Sequence, residues 1–330
     1  MISVEELLKN LITIPSVSGG EIKVGDYLFN LLKEQNFQVK KQFVDQNRFN
    51  LVANFGNPKI YFSAHMDTVA PFFGFNEDTD YIYGRGSCDT KSSIASMIIA
   101  IIKAKDSGFN DFGLIFTVGE ETNFDGIKSL IKSDINIPFV IVGEPTSCNL
   151  VNGHYGILNI KLTSQGKSAH TSQPQKGINA IDLLIDAIRK IKSVSIHPET
   201  PISLVKIEGG TADNIVPQNA TAIFGLRPSP NDSNNYYDLF KSKLNQENDT
   251  KIEVLIDVSP VHFTVPKELS FIGEGQTVKY FTELSFCPNG VVLGPGDIKF
   301  AHGLDERILK SELSKAVDIY YQILKNYSSK

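Results

Sequence analysis

The sequence predicts an α/β protein with a central mixed sheet that is interrupted by a smaller inserted α+β domain. Three observations support this fold class. Short apolar runs, typical of buried strands, alternate with segments of helical periodicity toward both ends of the chain. In between, strand-like and helix-like segments follow in the order strand, helix, strand, strand, helix, strand, which is the ferredoxin-like arrangement. The length of 330 residues suits two domains.

The first domain begins with two helices. Apolar residues recur at helical spacing over 4–36, and the sequence IPSVSGG at 14–20 divides this stretch in two. The elements that follow are strands at 50–55 and 59–64, a helix at 92–105, a strand at 113–118, a helix at 125–132 and a strand at 139–142. Strands that alternate with helices favour a layered α/β core.

The inserted domain has alternating polarity, typical of strands with one exposed face. Its elements are strands at 156–164, 202–208, 220–226 and 251–258, with helices at 179–193 and 233–246. The segments at 268–280, 290–293 and 308–326 then return to helix and strand of the first kind. We therefore predict one domain from 1–153 and 264–330, with the insertion at 154–263.

Composition and charge exclude several classes of protein. The 41% hydrophobic and 21% charged residues are ordinary for a soluble globular chain, and the net charge of −5 gives no electrostatic footprint for nucleic acid. The N-terminus lacks a signal-peptide pattern, and no apolar run is long enough to span a membrane. Three cysteines without a pairing pattern fit a reducing compartment. We expect a cytoplasmic protein with no nucleic-acid or membrane partner.

Histidine and acidic residues recur where apolar strands end. In YFSAHMDTV, His65 and Asp67 are two apart and so face the same side of a strand, as a metal ligand and its orienting partner would. A histidine with ordinary hydrogen bonds near a turn fits this pattern too. Asp89 follows the glycine-rich loop YGRGSC, where it could instead cap the next helix. This loop does not match a phosphate-binding P-loop, because Thr90 rather than glycine precedes Lys91.

The same form appears three more times. LIFTVGEE ends in Glu120 and Glu121, FVIVGE ends in Glu144, and His302 follows a strand and a Gly-Pro-Gly turn. The carboxyl ends of strands are where open α/β sheets place their sites. Two histidines and three carboxylates suit two divalent ions, with one carboxylate bridging them.

These residues make the sequence recognisable: it resembles the M20 family of zinc-dependent peptidases and deacylases. The matching motifs are His65-Met66-Asp67, the loop at 84–89, Glu120-Glu121, Gly143-Glu144-Pro145-Thr146, Ala301-His302, and in the insertion GKSAH at 166–170, PQKGINA at 174–180 and GGTADNIVP at 209–217. They run in order through nearly the whole chain. As a set, the five metal-site motifs at family spacing are highly specific.

The resemblance implies a di-metal site. Asp89 would bridge two ions, His65 and Glu144 would complete one of them, and Glu121 and His302 the other. Zn²⁺ is the metal expected first, and the same ligand set also accepts Co²⁺ or Mn²⁺.

The resemblance also implies roles around the metals. Asp67 would orient His65, and Glu120 would be the general base that takes a proton from a metal-bridging water. The insertion would be a lid that carries the contact of a homodimer, from which His170 would stabilise the oxyanion in the partner's site. Asn214 and Arg227 match positions that hold a substrate carboxylate in relatives. Taken alone, the last three residues also fit turn or surface positions.

The substrate prediction rests on the C-terminal motifs. Thr282-Glu283, Cys287-Pro288, the turn at 293–296 and Asp305-Glu306 resemble acetylornithine deacetylases, with lysine-pathway deacetylases and succinyl-diaminopimelate desuccinylases as near neighbours. This implies removal of an acyl group from a small N-acyl amino acid, N-acetylornithine of arginine biosynthesis or N-acetyl-lysine, with Glu283 reading the distal ammonium. The alternative on the same site is a di- or tripeptide exopeptidase. A non-catalytic binding protein is disfavoured, since every ligand position and Glu120 are present.

Overall fold

The structure is a computed structural model that describes residues 2–244, 250–280, 282–287 and 289–327. The chain forms two compact units. The core unit comprises Met1–Gly153, Phe263–Thr277 and Thr282–Lys330, and the inserted unit comprises His154–His262 and Val278–Phe281. The insertion expected at 154–263 corresponds to the main part of the inserted unit. Nothing in the sequence indicated the short second segment that begins at Val278.

The core unit begins with two helices and builds most of its sheet before the insertion. In chain order its elements are α1 (Val4–Thr13), α2 (Ile22–Glu34), β1 (Gln38–Phe43), β2 (Phe49–Phe55), β3 (Ile60–His65), β4 (Asn76–Glu77), β5 (Tyr81–Tyr83), α3 (Lys91–Asp106), β6 (Phe112–Thr117), α4 (Asp125–Leu130), β7 (Val140–Val142) and β8 (Val151–His154). Helix α1 starts where the Ser3 hydroxyl accepts the Glu6 N–H, and its apolar face is buried. The predicted break at 14–20 separates α1 from α2.

The inserted unit has the order that the alternating pattern predicted. Its elements are β9 (Ile157–Gln165), α5 (Ala180–Lys192), β10 (Ile202–Gly209), β11 (Asn219–Leu226), α6 (Tyr236–Lys243), β12 (Thr250–Val258) and β13 (Val261–His262). Four strands pair antiparallel in the order β10-β11-β9-β12. Buried Ile160 and Leu162 on β9 belong to one apolar cluster with Leu184 and Ile188 of α5. The predicted end of the second helix, 245–246, lies outside the described residues.

The chain then completes the core unit. The last elements are β14 (Gln276–Val278), β15 (Gly290–Val292), β16 (Arg307–Leu309) and α7 (Lys310–Tyr327). The segment at 268–280 contains a short turn of 3₁₀ helix at Lys267–Leu269, followed by β14. Helix α3 packs against β3, α1 and α7, while α2 packs against β1 and β2.

The main sheet is mixed, which confirms the predicted fold class. The strands of the core unit follow in the order β1-β2-β6-β3-β7-β15-β8, and β14 also pairs with β8. The four central strands β6, β3, β7 and β15 are parallel, and antiparallel strands flank them. Every residue of β3 and β6 is buried, as expected for central parallel strands. The carboxyl ends of four strands therefore meet at one edge of the sheet, where a site is expected.

Candidate metal centre

The parallel register brings the predicted ligands to this edge. His65 is the last residue of β3 and lies opposite Thr117, the last residue of β6. Glu120 and Glu121 follow β6 after Val118 and Gly119, at the start of a turn, and Glu144 follows β7 after Gly143. A Cβ atom at Gly143 would lie 2.5 Å from Met97 Cε and 2.7 Å from Ser93 Cβ on α3, so only glycine fits there. The spacing between strand end and acid is thus fixed by packing.

Asp89 is at the centre of the cluster. It lies in the loop before α3, and its peptide bond with Thr90 is cis. Asp89 Oδ1 is 3.0 Å from His65 Nε2, and Asp89 Oδ2 is 3.1 Å from His302 Nε2. One carboxylate therefore contacts the two imidazoles with its two oxygens.

Two further carboxylates flank this row. Glu144 Oε1 is 3.8 Å from His65 Nε2, and both carboxylate oxygens of Glu121 are 3.0 Å from His302 Nε2. One ligand atom each from His65, Asp89 and Glu121 lies within 4.8 Å of the others, close enough to hold a metal ion. The structure thus brings together all five predicted ligands. Their division between two ions stays a prediction.

The carboxylates and imidazoles of the cluster shift the pKa values of one another. Burial disfavours a charged His65, but the hydrogen bond to Asp89 and the charges of Glu144 and Glu120 hold its pKa well above the ordinary value. Hydrogen bonds to Asp89 and Glu121 raise the pKa of His302 to about 10. Burial would raise the pKa of Asp89, but the two imidazoles hold it below its ordinary value. The imidazoles therefore attract protons because the carboxylates around them are in excess.

The residues present fit divalent cations. Glu144 Oε1 is buried and has no hydrogen-bond partner among the described residues. Burial, and next the charge of Asp89, raise the pKa of Glu144 well above its ordinary value. A buried carboxylate is costly unless it is paired or coordinates a metal, and carboxylate with imidazole suits zinc and similar ions. The donor set is compatible with more than one metal.

Glu120 lies beside the ligands with an altered pKa. Burial raises the pKa of Glu120 to about 8, against the influence of His65 and with that of Glu283 and Asp89. A carboxylate whose pKa lies near neutrality can both take up and release a proton. Its role as the general base stays a prediction.

Asp67 contacts His65 through a different atom from the one expected. His65 Nδ1 is 2.9 Å from the main-chain carbonyl oxygen of Asp67 and 3.6 Å from Oδ1 of its carboxylate. Since a carbonyl only accepts, Nδ1 carries the hydrogen and Nε2 is left to coordinate. The carboxylate instead accepts the Glu120 N–H at 3.0 Å, the Glu121 N–H at 3.1 Å and the Ser18 hydroxyl at 2.7 Å. It fixes the loop that carries both glutamates.

Glu283 is part of the same region of the core unit. It begins a 3₁₀ turn, Glu283–Phe286, and is 1% exposed. Its Oε1 is 3.5 Å from Thr117 Oγ1, and its buried Oε2 has no hydrogen-bond partner in the part of the chain that the structure describes. Burial raises the pKa of Glu283 to about 7, despite the opposing influence of His65. Its contact with a substrate ammonium stays a prediction.

Two of the three predicted residues of the inserted unit are close together. His170 forms an antiparallel bridge with Ile215, and the Thr171 N–H donates to the Asn214 carbonyl at 3.1 Å. His170 Nδ1 accepts the Ser172 N–H at 3.1 Å and lies 2.8 Å from the Ser172 hydroxyl. The neutral imidazole therefore carries its hydrogen on Nε2, as a donor.

Arg227 is far from this pair. It follows the last residue of β11, whereas Asn214 precedes the strand. The 8 residues of β11 span about 26 Å at roughly 3.3 Å per residue. Arg227 Nη1 donates to the Leu226 carbonyl at 3.1 Å, and the side chain lines a surface pocket of about 360 Å³ with Asn159 and Ser203. One copy of the inserted unit does not bring Arg227 to His170 and Asn214.

Two further residues received no role from the sequence. Arg85 and Glu306 are buried and form an ion pair with Nη1 2.6 Å from Oε2. The arginine between two glycines of the glycine-rich loop gave no sign of this pair, since burial of the loop is seen only in the structure, and a buried guanidinium requires an acidic partner. The sequence could not show which acid it is.

The comparisons with known proteins agree with this fold. The chain matches Peptidase family M20/M25/M40 over residues 61–326 and belongs to that family. It is thus a hydrolase of the M20 type. None of the described helices is both long and apolar enough to cross a membrane.

Curated relatives match nearly the whole chain. A probable carboxypeptidase of Aspergillus clavatus is 30% identical over 98% of this chain and 88% of its own. A peptidase M20 domain-containing protein of Schizosaccharomyces pombe is 31% identical over 96% of this chain and 83% of its own. The similar proteins carry names of peptidases.

Solved structures show the same fold at lower identity. The aminopeptidase PepT of Bacillus cereus has a TM-score of 0.85 and 22% identity, with 99% of each chain covered. A tripeptidase of Staphylococcus aureus has a TM-score of 0.82 and 22% identity over 98% of this chain and 97% of that one. A dinuclear metal-binding M20 peptidase of Bacillus subtilis has a TM-score of 0.72 and 14% identity over 97% and 96%. These similarities establish the fold.

Proposed function

We propose that this chain is a metal-dependent exopeptidase that hydrolyses one amide bond at the end of a short peptide. The observation that carries the proposal is the meeting of two imidazoles and three carboxylates at one sheet edge, with Glu120 beside them. The peptidase names of the curated relatives support a peptide substrate over an acylated amino acid. The folds of an aminopeptidase and a tripeptidase agree with this choice.

The side chains divide the work as follows. Asp89 lies between His65 with Glu144 and His302 with Glu121, and these five residues would hold two divalent ions, Zn²⁺ first. Such ions polarise a carbonyl oxygen and lower the pKa of water.

Glu120, whose carboxyl group lies beside the five ligands, takes the proton from the attacking water and returns it to the leaving nitrogen. Asp67 holds Glu120 in place because its carboxylate accepts the Glu120 N–H.

The inserted unit supplies an oxyanion donor and a carboxylate anchor in this proposal. His170 presents Nε2–H because Ser172 donates to Nδ1. Arg227 offers a planar fork for a substrate carboxylate. Since the two residues lie at opposite ends of β11, we propose that they serve different active sites of a homodimer.

Glu283 favours a substrate with a positive charge. Its buried Oε2 finds no donor within the described ranges, and a buried acceptor without a partner is costly. The α-ammonium of a peptide would supply that donor. The distal ammonium of N-acetylornithine or N-acetyl-lysine would do so too, which keeps deacylation of a basic N-acyl amino acid as the second candidate.

Steady-state kinetics over a substrate panel tests the proposal. The panel contains di- and tripeptides with free ends, the same peptides acetylated or amidated, and acetylornithine, acetyl-lysine, acetyl-citrulline and succinyl-diaminopimelate, each with added metal and after chelation. We expect the highest kcat/KM for free short peptides and loss of turnover after chelation. Faster turnover of an N-acyl amino acid than of every peptide would establish the second candidate instead, and turnover that survives chelation would refute both.

Glu283→Gln decides what that residue recognises. The substitution keeps the shape and removes the charge, so KM should rise for peptides with a free N-terminus and stay nearly unchanged for the acetylated peptides. Thr117→Ser is the matched control, because it keeps the hydroxyl at Glu283 Oε1. An equal rise in KM for free and acetylated substrates would contradict the assignment.

A further inference from the structure

A buried ion pair joins the loop that carries Asp89 to the segment that carries His302. Arg85 Nη1 lies 2.6 Å from Glu306 Oε2, and both side chains are 1% exposed. The two residues are 221 positions apart in the chain. Each is close in sequence to a predicted metal ligand, Arg85 to Asp89 and Glu306 to His302.

Glu306 holds the backbone of the Asp89 loop directly. Its Oε1 accepts the N–H groups of Gly86, Cys88 and Asp89, each at 3.0 Å. Three donors on one oxygen fix the course of the loop up to the ligand itself. Gly86 has φ +88, and a Cβ there would lie 2.8 Å from Lys91 Cδ, so the loop needs glycine at this point.

Arg85 extends the connection to the other ligand. Its Nε donates to the Pro71 carbonyl at 3.1 Å, and its Nη2 donates to the His302 carbonyl at 3.5 Å. The guanidinium lies over the Phe73 ring, 5.0 Å from its centre. His302 has φ 63, in the left-handed region that a residue with a side chain rarely adopts. A donor at its carbonyl helps to hold this conformation.

We infer that Arg85 and Glu306 are positioning residues, which set the distance between Asp89 and His302. The two ligands meet with Asp89 Oδ2 3.1 Å from His302 Nε2, at the point where the two connected segments converge. A buried ion pair is weak evidence of a role in stability, since two apolar side chains can fill the same volume. Apolar side chains could not bind three N–H groups and the His302 carbonyl. The inference rests on the proposed metal site.

Metal affinity of Glu306→Gln and Arg85→Lys tests this role. Glutamine keeps an oxygen for the loop but loses the ion pair, and lysine keeps a charge but cannot reach Glu306 and both carbonyls together. The metal-free proteins are titrated stepwise with Zn²⁺, and in a separate experiment with Co²⁺. Binding should be about 10–100-fold weaker than in the wild type, and the loss of affinity should be larger at one of the two metal positions than at the other. The Co²⁺ absorption bands should shift as the ligand geometry changes. Asp305→Asn is the control, because this exposed acid pairs with Arg307 within the same segment.

The outcomes separate this inference from the proposed function. Wild-type protein that binds no divalent ion would overturn the metal site itself. Variants that bind both ions at wild-type affinity and with unchanged Co²⁺ bands would overturn the positioning role alone. The positioning role would also be overturned if the metal-free variants have a lower melting temperature but bind ions with wild-type affinity below it, because that result is expected of an ion pair that only stabilises the fold. If Glu306→Gln does not fold, the affinity of Arg85→Lys decides between these results.

Discussion

The predicted site residues of the two units were found by similar motifs, yet the structure holds them differently. In the core unit, His65 and Asp89 are almost fully buried and contact each other through strand ends and loops distant in the sequence. In the inserted unit, His170 and Asn214 are exposed on two paired loops, and the imidazole of His170 hydrogen-bonds to Ser172, two positions away. Burial and mutual contacts hold His65 and Asp89 in place without a ligand. The exposed side chains of His170 and Asn214 have hydrogen-bond donors available for one.

The largest expected effect tests the division of labour within the core unit. Glu120→Gln should lower kcat by about 10²–10⁴-fold, since it removes the proton carrier and no metal ligand. Metal content, measured by mass spectrometry, should stay at the wild-type level. Glu121→Gln is the matched control on the adjacent residue, and there we expect loss of metal.

These two variants also separate the proposed roles. Full turnover by Glu120→Gln would refute the general-base assignment. Full metal content in Glu121→Gln would refute the ligand assignment while leaving Glu120 untouched.

The second effect belongs to the inserted unit. His170→Ala should lower kcat by about 10²–10³-fold, as the loss of one oxyanion donor does, with unchanged metal content. Mixing it with Glu120→Gln after dissociation and reassociation should restore activity above the sum of the two. One site of the mixed dimer would then keep both groups.

The control for this experiment is the mixture of His170→Ala with wild-type protein under the same treatment. If mixing the two variants restores nothing while both form dimers, His170 acts in its own subunit, and the proposal of exchanged residues is wrong.

The sequence predicted that these side chains meet, because parallel strands end at a common edge. Each motif joins an apolar strand to an acid or a histidine, and this local pattern is enough to place His65, Glu121 and Glu144 together. The local pattern does not indicate the order of the strands in the sheet. The turn at 56–58 lies between β2 and β3, but β6 comes between these two strands in the sheet. Pairing over such distances leaves no local sign.

The contacts that hold the ligands were the least predictable. Glu306 is 217 residues from Asp89, whose N–H it accepts, and only the folded chain shows that they meet. Asp67 illustrates the same limit at short range. Spacing placed it beside His65, but only atomic positions show that its carbonyl faces the imidazole and its carboxylate faces the glutamate loop.

The smallest effect examines Asp67 as the support of both glutamates. Asp67→Asn keeps the carbonyl at His65 Nδ1, so the imidazole should keep its orientation. The new amide can accept only one of the two N–H groups and opposes the other with a donor of its own. The Glu120–Glu121 loop should therefore shift, with metal affinity and kcat both falling by about 10-fold. Isothermal titration of the metal and steady-state kinetics measure the two losses.

Ser18→Ala removes one of the other donors to the same carboxylate and should have a weaker effect in the same direction. If Asp67→Asn weakens metal binding but leaves kcat unchanged at saturating metal, Asp67 does not support Glu120. The role of orienting His65, which the spacing predicted, would then stand instead.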